Sequence, residues 1–485
     1  MQKRILAALL GGAAALSACA PVPQLGVRPE IRATGSIAAE RSIGAGAGTA
    51  SQWPETNWWS AYGDPQLDGL IDEGLRSAPD LAAAVARVRQ ADAYAQQANA
   101  ARLPSLDIDG TAGDNKQSYN NGIPAEFVPK GWNDTGRLTA NLGFDIDLWG
   151  RNRAAFAAAT SDAEAARLEL AQTRLTLSTA IATAYADLAR LYADRDVLQS
   201  TLEIKTRTQS LVAQRVETGL GNRADLKLAD AAVPTARADL SSTDESIALT
   251  RNRIAALIGA GPDRGLAIAR PKARAAARGV PASATTDLIG RRPDVAAARA
   301  RVDAAASRIK VARAAFYPAL SLNALFGVQS LGLSKLFDSG STYGNAGPAV
   351  SLPLFHGGAI AGQYRGARAT YDEAVASYDK TVIAAYQDVA DTVTSQTMLS
   401  TRLADARKAL SDTQGAYDLA QERYRGGLST YLDVLTAEQN LLQSRRAVAA
   451  LEARAFTLDV ALVRALGGGF SSTSLSMMPK DRAHG

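Results

Sequence analysis

Two hydrophobic periods run along this chain of 485 residues, in separate stretches. From Leu138 to Leu148 apolar and polar positions alternate strictly. Leu138, Ala140, Leu142, Phe144, Ile146 and Leu148 fall on one side, and Thr139, Asn141, Gly143, Asp145 and Asp147 on the other. A period of two predicts a strand with one apolar and one wet face. "SLDIDGTAG" (105–113) offers it a partner, and "ALSLNALFGV" (319–328) with "GPAVSLPL" (347–354) makes a second, less regular pair. Loops rich in Gly, Asn and Ser separate the members of each pair. Strands of about ten residues with this pattern suit a membrane barrel, although a soluble hairpin on a small core shows the same period.

The other period is helical. From Asn152 to Thr218 there is neither proline nor glycine, and a helix of that length would measure about 100 Å. Leu177, Ile181, Ala184, Leu188, Leu191, Leu198, Leu202, Val212 and Val216 form an apolar stripe, interrupted by Arg195, Lys205 and Gln209. Alternating spacings of four and three predict coiled-coil packing against neighbours. The stripe ends at "GLGN" (219–222), a helix stop and turn. A similar run over about 360–424 stops at Gly426-Gly427.

The chain also repeats itself. "SAPDLAAAVARV" (77–88) and "RRPDVAAARARV" (291–302) agree at eight of twelve positions. Pro79 to Pro104 and Pro293 to Pro318 are both 25 residues apart. "RVETGLGNRADL" (215–226) recurs as "RYRGGLSTYLDV" (423–434). Two copies are expected, 65–260 and 279–467, joined by a linker at 261–278. Each has a helix opened by Pro-Asp, a β-hairpin (105–148 or 319–354) and a long helical hairpin (152–258 or 360–466). A segment at 19–64 precedes them and a tail at 468–485 follows.

Composition narrows the chemistry. Aromatic residues make up 6% of the chain, and the net charge is +5 with no basic block interleaved with aromatics, so nucleic-acid binding is not expected. The lone cysteine, Cys19, follows Lys3-Arg4, a short apolar run and "LSA". This resembles a bacterial lipobox, with 1–18 as signal peptide and Cys19 as the acylated N-terminus. No later stretch reaches the ~18 apolar residues of a membrane helix, so any crossing must use strands. With only His356 and His484, no metal centre, cofactor or catalytic constellation is expected. His356 reads as a polar loop residue.

Several stretches together resemble the outer-membrane efflux protein family, the TolC-like and OprM-like exit ducts of Gram-negative bacteria. They are "NWWSAYGDPQLDGLIDEGL" (57–75), "FDIDLWGR" (144–151), "LIGRRPDVAAARARV" (288–302), "LPLFHGGAIAGQYRGA" (352–367) and "RYRGGLSTYLDVLTAEQNLL" (423–442). With the lipobox, the likeness is to the lipoprotein branch serving resistance-nodulation-division drug pumps. The resemblance implies a mainly α fold with membrane β. Three chains of four strands each would close a 12-stranded barrel, continued by a coiled-coil helical barrel. It implies a periplasmic adaptor, an inner-membrane pump and outer-membrane lipid as partners. By position, Gly219, Leu220, Gly427 and Leu428 would form the adaptor-contact tips. Leu432 would sit in the closing ring, with Asp225 and Asp433 as gate acids. Thr436 stands where family members often carry an acid, and Glu438 lies nearby. These acids could equally serve solvated faces or pair with Arg423 and Arg425. Two other readings stay open: a type I protein secretion duct, and a lipid-anchored coiled-coil scaffold without a pore.

Overall fold

The computed structural model describes residues 22–32, 37–44, 52–273 and 278–471. The expected signal peptide (1–18), Cys19, His484 and most of the tail lie outside the described residues. In chain order the elements are α1 (Glu40–Gly44), α2 (Pro65–Ser77), α3 (Pro79–Ala100), β1 (Ser105–Asn115), β2 (Asn133–Ile146), α4 (Arg151–Glu217) and α5 (Arg223–Leu257). Then come α6 (Asp263–Leu266), α7 (Ala284–Arg291), α8 (Pro293–Ala314), β3 (Ala319–Leu331), β4 (Thr342–Ser351), α9 (Ala359–Arg425) and α10 (Tyr431–Ala465). α3 and α8 are both 22 residues long, α4 and α9 both 67, and α5 and α10 both 35. Among the described residues no helix is long and apolar enough to cross a membrane.

The chain forms two compact units. Of the described residues, one comprises those within 22–31, 88–166 and 298–378, and the other those within 32–87, 167–297 and 379–471. The first holds an antiparallel sheet in the order β1-β2-β3-β4. The two expected strand pairs are thus one sheet, joined by β2 and β3 from Thr135↔Leu331 to Ile146↔Leu320. β2 ends at Ile146, before Leu148, because Asp147 turns away to cap α4. Its carboxylate accepts the N–H groups of Asn152 (3.1 Å) and Arg153 (2.9 Å), satisfying donors that the first helical turn leaves unpaired. β4 begins at Thr342, earlier than the alternation suggested. Tyr343 lies opposite Gly327 and reaches past it to Thr139 Oγ1 at 2.9 Å, which lengthens the ladder.

In the second unit the stripe on α4 is buried within the chain itself. Ile181, Ala184 and Leu188 pack beneath Trp58, Trp59 and Tyr62, against Ile254 and Ile258 of α5 and Phe456 of α10. Each polar interruption of the stripe has a partner on another helix. Arg195 pairs with Asp244 of α5 at 2.6 Å, Gln209 donates to Asp230 of α5 at 2.9 Å, and Lys205 Nζ lies 2.9 Å from Glu438 Oε1 of α10.

The recurring Pro-Asp motif marks where α3 and α8 begin, beside the ends of α5 and α10. Arg292 is buried there. It grips Asp294 (3.0 and 2.7 Å) and Asp388 of α9 (2.9 Å), and donates to the Ala465 carbonyl at 3.3 Å. Ala465 ends α10, so the guanidinium satisfies a carbonyl the helix cannot. In the first copy Ser77 Oγ does the same for α5, donating to the Ile258 carbonyl at 2.7 Å.

Candidate functional site

The register of the sheet sorts its side chains into two unlike faces. Leu106, Leu142, Ala324 and Ala346 share one row, and Ile108, Ala140, Phe326 and Gly344 the next. Phe144, Leu322 and Pro348 form a third row, and Ile146, Leu320 and Val350 a fourth. No charged or hydrogen-bonding side chain interrupts these rows. Yet Ile108 is 72% exposed, Phe326 68% and Val350 70%, so among the described residues this face covers no core. The alternate rows carry Asp107, Asn141 and Asn345, then Asp109, Thr139 and Tyr343, then Asp145 and Ser321, with Leu325 and Ala349 as apolar exceptions. Beyond one end of the strands stand exposed Phe127 and Trp132, and beyond the other Trp149 and Phe355. Water disfavours so broad an exposed apolar surface, whereas a bilayer requires one, flanked by aromatic girdles. Trp149 stacks on Tyr317 with centroids 4.6 Å apart and donates to the Pro318 carbonyl. His356 is an exposed loop residue between β4 and α9.

The two helical turns lie in the second unit. Gly219 (φ +74°) and Gly427 (φ +76°) take the left-handed conformation that ends α4 and α9. In both turns the residue after the glycine bonds back five positions, Leu220 N to Arg215 O and Leu428 N to Arg423 O, each at 2.8 Å. Leu220, Leu428 and Leu432 are 71%, 72% and 64% exposed, which makes the tips available for contact.

The caps that follow differ. Asn222 accepts the Ala224 N–H at the start of α5. Thr430 and Asp433 form a reciprocal capping box on α10: the carboxylate accepts the Thr430 N–H (2.9 Å) and hydroxyl (2.8 Å). The Thr430 hydroxyl, then its N–H, with Arg423 adding attraction, hold the Asp433 carboxyl below the ordinary range. Asp225 is half-buried, and its charge acts on Tyr424 and Tyr431. The two acidic gate candidates therefore have different surroundings.

Sequence reading missed what joins the tips. Arg215 donates to the Tyr424 carbonyl (2.6 Å) and the Leu220 carbonyl (3.3 Å), and its guanidinium lies 4.6 Å from the centroid of the Tyr424 ring. One side chain thus spans both turns. Behind it Val212, Tyr417, Tyr424, Tyr431 and Val434 form a buried cluster. Burial, then the Glu438 charge, push the Tyr431 hydroxyl up to about 12. The Lys205–Glu438 pair beside this cluster is nearly dry, with side chains 15% and 5% exposed. Glu438 Oε1 makes no aligned hydrogen bond, so charge attraction holds the pair. The motif carried a signal for the bridge: Arg215 is the repeat mate of Arg423, and both precede a glycine turn.

The sequence profile of the outer membrane efflux protein family matches residues 70–260 and 285–468. The chain is 36% identical over 352 residues to the fusaric acid resistance protein FusA of Burkholderia cepacia, covering 70% of this chain and 64% of that one. It is 30% identical over 434 residues to the pyoverdine export outer membrane protein OpmQ of Pseudomonas putida, covering 88% and 91%. The crystal structure of the outer membrane protein VceC of Vibrio cholerae superposes with a TM-score of 0.81 at 44% identity, covering 86% of this chain and all of that one. With both halves matched by one profile, this chain belongs to the outer membrane efflux protein family and serves in efflux across the outer membrane.

Proposed function

We propose that three copies form a passive exit duct of a tripartite pump, receiving drugs or other small molecules from an inner-membrane pump through a periplasmic adaptor. The observation that carries this reading is the two-faced sheet. Its apolar face suits lipid and its polar face a wet lumen. Among the described residues β1 and β4 have no further partner strand, and bare edges are not tolerated in lipid. Four strands are too few to close around a passage, so edge must meet edge between copies, giving twelve strands in a trimer. The matched helix lengths of 22, 67 and 35 residues support an internal two-fold repeat, and hence six similar staves around one axis.

Acylated Cys19 adds a lipid anchor. Eight residues later Val27 is held to α9, its carbonyl accepting from Arg368, while Tyr371 donates to the Pro29 carbonyl at 3.2 Å. Arg368 lies near the start of α9, which follows β4, and eight extended residues reach about 26 Å. The anchor can therefore enter the membrane that the strands cross. Leu220 and Leu428, with their glycines, are the adaptor-contact tips. Leu432, Asp225 and Asp433 belong to a periplasmic gate, which opens by helix movement.

Purified protein in planar bilayers tests the duct. A conducting trimer is expected, with higher conductance when Asp225→Ala and Asp433→Ala are combined; a protein that never conducts overturns the reading. Crosslinking from Leu428→Cys in cells should capture a periplasmic adaptor. Palmitate labelling should vanish in Cys19→Ser.

A further inference from the structure

The wet face of the sheet carries one feature that a passive wall does not need. Thr139 of β2, Gly327 of β3 and Tyr343 of β4 lie in one register line. Gly327 leaves a gap between its neighbours; a Cβ there would collide with the Leu138 carbonyl and lie 2.9 Å from Thr139 Cα. Tyr343 crosses this gap, with its hydroxyl 2.9 Å from Thr139 Oγ1. Arg137, one row further toward the loops, turns over the same tyrosine. Its guanidinium carbon is 5.8 Å from the ring centroid, and Nε donates to Thr139 Oγ1 at 3.1 Å. Thr139 is 1% exposed, roofed by these two side chains.

The charge on this plate is available. Arg137 is exposed and forms no ion pair among the described residues. Asp109, on the neighbouring strand, turns instead to Asn141, whose Nδ2 donates to it at 2.6 Å. Only Nε is engaged, so both terminal nitrogens can meet a carboxylate side by side. From the row of Arg137 to that of Asp145, the wet face offers three acids, Asp107, Asp109 and Asp145, and this single cation.

We propose that Arg137 and Tyr343 form a contact site for planar aromatic carboxylates inside the duct. The guanidinium binds the carboxylate, and the Tyr343 ring beside it meets the ligand's ring. The site rests on the duct reading, in which the wet face lines the lumen. Three copies of one arginine at one level then make a ring that favours anions, above a wall that otherwise favours cations.

Reversal potentials in planar bilayers, with potassium benzoate and potassium acetate as the permeating salts, test the site. Arg137→Gln should lower the permeability of both anions relative to potassium, benzoate by about threefold, the scale of an exposed charge or cation–π contact. Tyr343→Leu should lower benzoate and leave acetate unchanged, and Tyr343→Phe, which keeps the ring, should retain the benzoate preference. An unchanged benzoate ratio in Arg137→Gln overturns the proposal. A second measurement does not depend on conduction. Benzoate should slow phenylglyoxal modification of Arg137 in the folded protein by about threefold, read by peptide mass spectrometry, and acetate should slow it less. Equal rates with and without benzoate overturn the site. Absence of conductance in every variant would instead count against the duct.

Discussion

The two helical hairpins, α4–α5 and α9–α10, share lengths and turn geometry but are fastened by different chemistry. At the Pro-Asp end the first hairpin is closed by a neutral bond from Ser77 to the Ile258 carbonyl, the second by the buried charge of Arg292 shared among Asp294, Asp388 and Ala465. At the turn the first uses an Asn222 cap, and the second a Thr430–Asp433 capping box. Arg215 reaches from the first turn to the second, whereas its mate Arg423 only adds charge beside Asp433. Identical backbone solutions therefore need not share energetics. A neutral bond can be lost cheaply, but a buried ion cannot lose its partners without a large penalty.

That contrast sets the largest expected effect. Asp388→Ala combined with Asp294→Ala strands the Arg292 charge and should cost about 3–5 kcal/mol, whereas Ser77→Ala should cost about 1 kcal/mol. Thermal unfolding in detergent measures both, and equal losses would remove the distinction between the hairpins. Next comes the Lys205–Glu438 pair, which fastens the second hairpin to the first. Glu438→Ala should cost about 3 kcal/mol by leaving Lys205 unpaired, while Lys205→Met with Glu438→Leu should recover most of it. A double variant as unstable as the single one would show that packing, not charge, is at stake. Arg215→Ala should be milder, about 1–2 kcal/mol. Because it frees one turn from the other, it should also raise bilayer conductance, which Arg423→Ala should not.

Much of this architecture was legible in the sequence because period and punctuation are local properties. Alternation at 138–148 exposed the strand, and the glycines at 219 and 427 exposed the turns. What joins the pieces was not legible. Lys205 and Gln209 looked like flaws in an apolar stripe, since their partners Glu438 and Asp230 are distant in the chain. The pairing of β2 with β3 likewise depends on a register that no local pattern encodes. Asp433 was visible as an acid near a tip. Its bond to Thr430 was also written locally, as Thr-x-x-Asp before an apolar run.

The smallest expected effect separates the two caps by pH. Hydrogen bonds from Thr430 hold Asp433 below the ordinary carboxylate range, so its folded-state pKa is depressed. A depressed acid stabilises the fold fully above its unfolded value, near about 3.9, and that contribution disappears as pH falls through the folded value. Asn222 has no titrating group to lose. Between pH 5 and about pH 2.5, amide exchange at the start of α10, corrected for intrinsic rates, should therefore accelerate more than exchange at the start of α5. Asp433→Asn keeps an acceptor for Thr430 but cannot titrate, so it should flatten the difference. Thr430→Ala should loosen α10 at every pH. If both helix starts loosen together in acid, including in Asp433→Asn, titration of the capping box is not what distinguishes the tips.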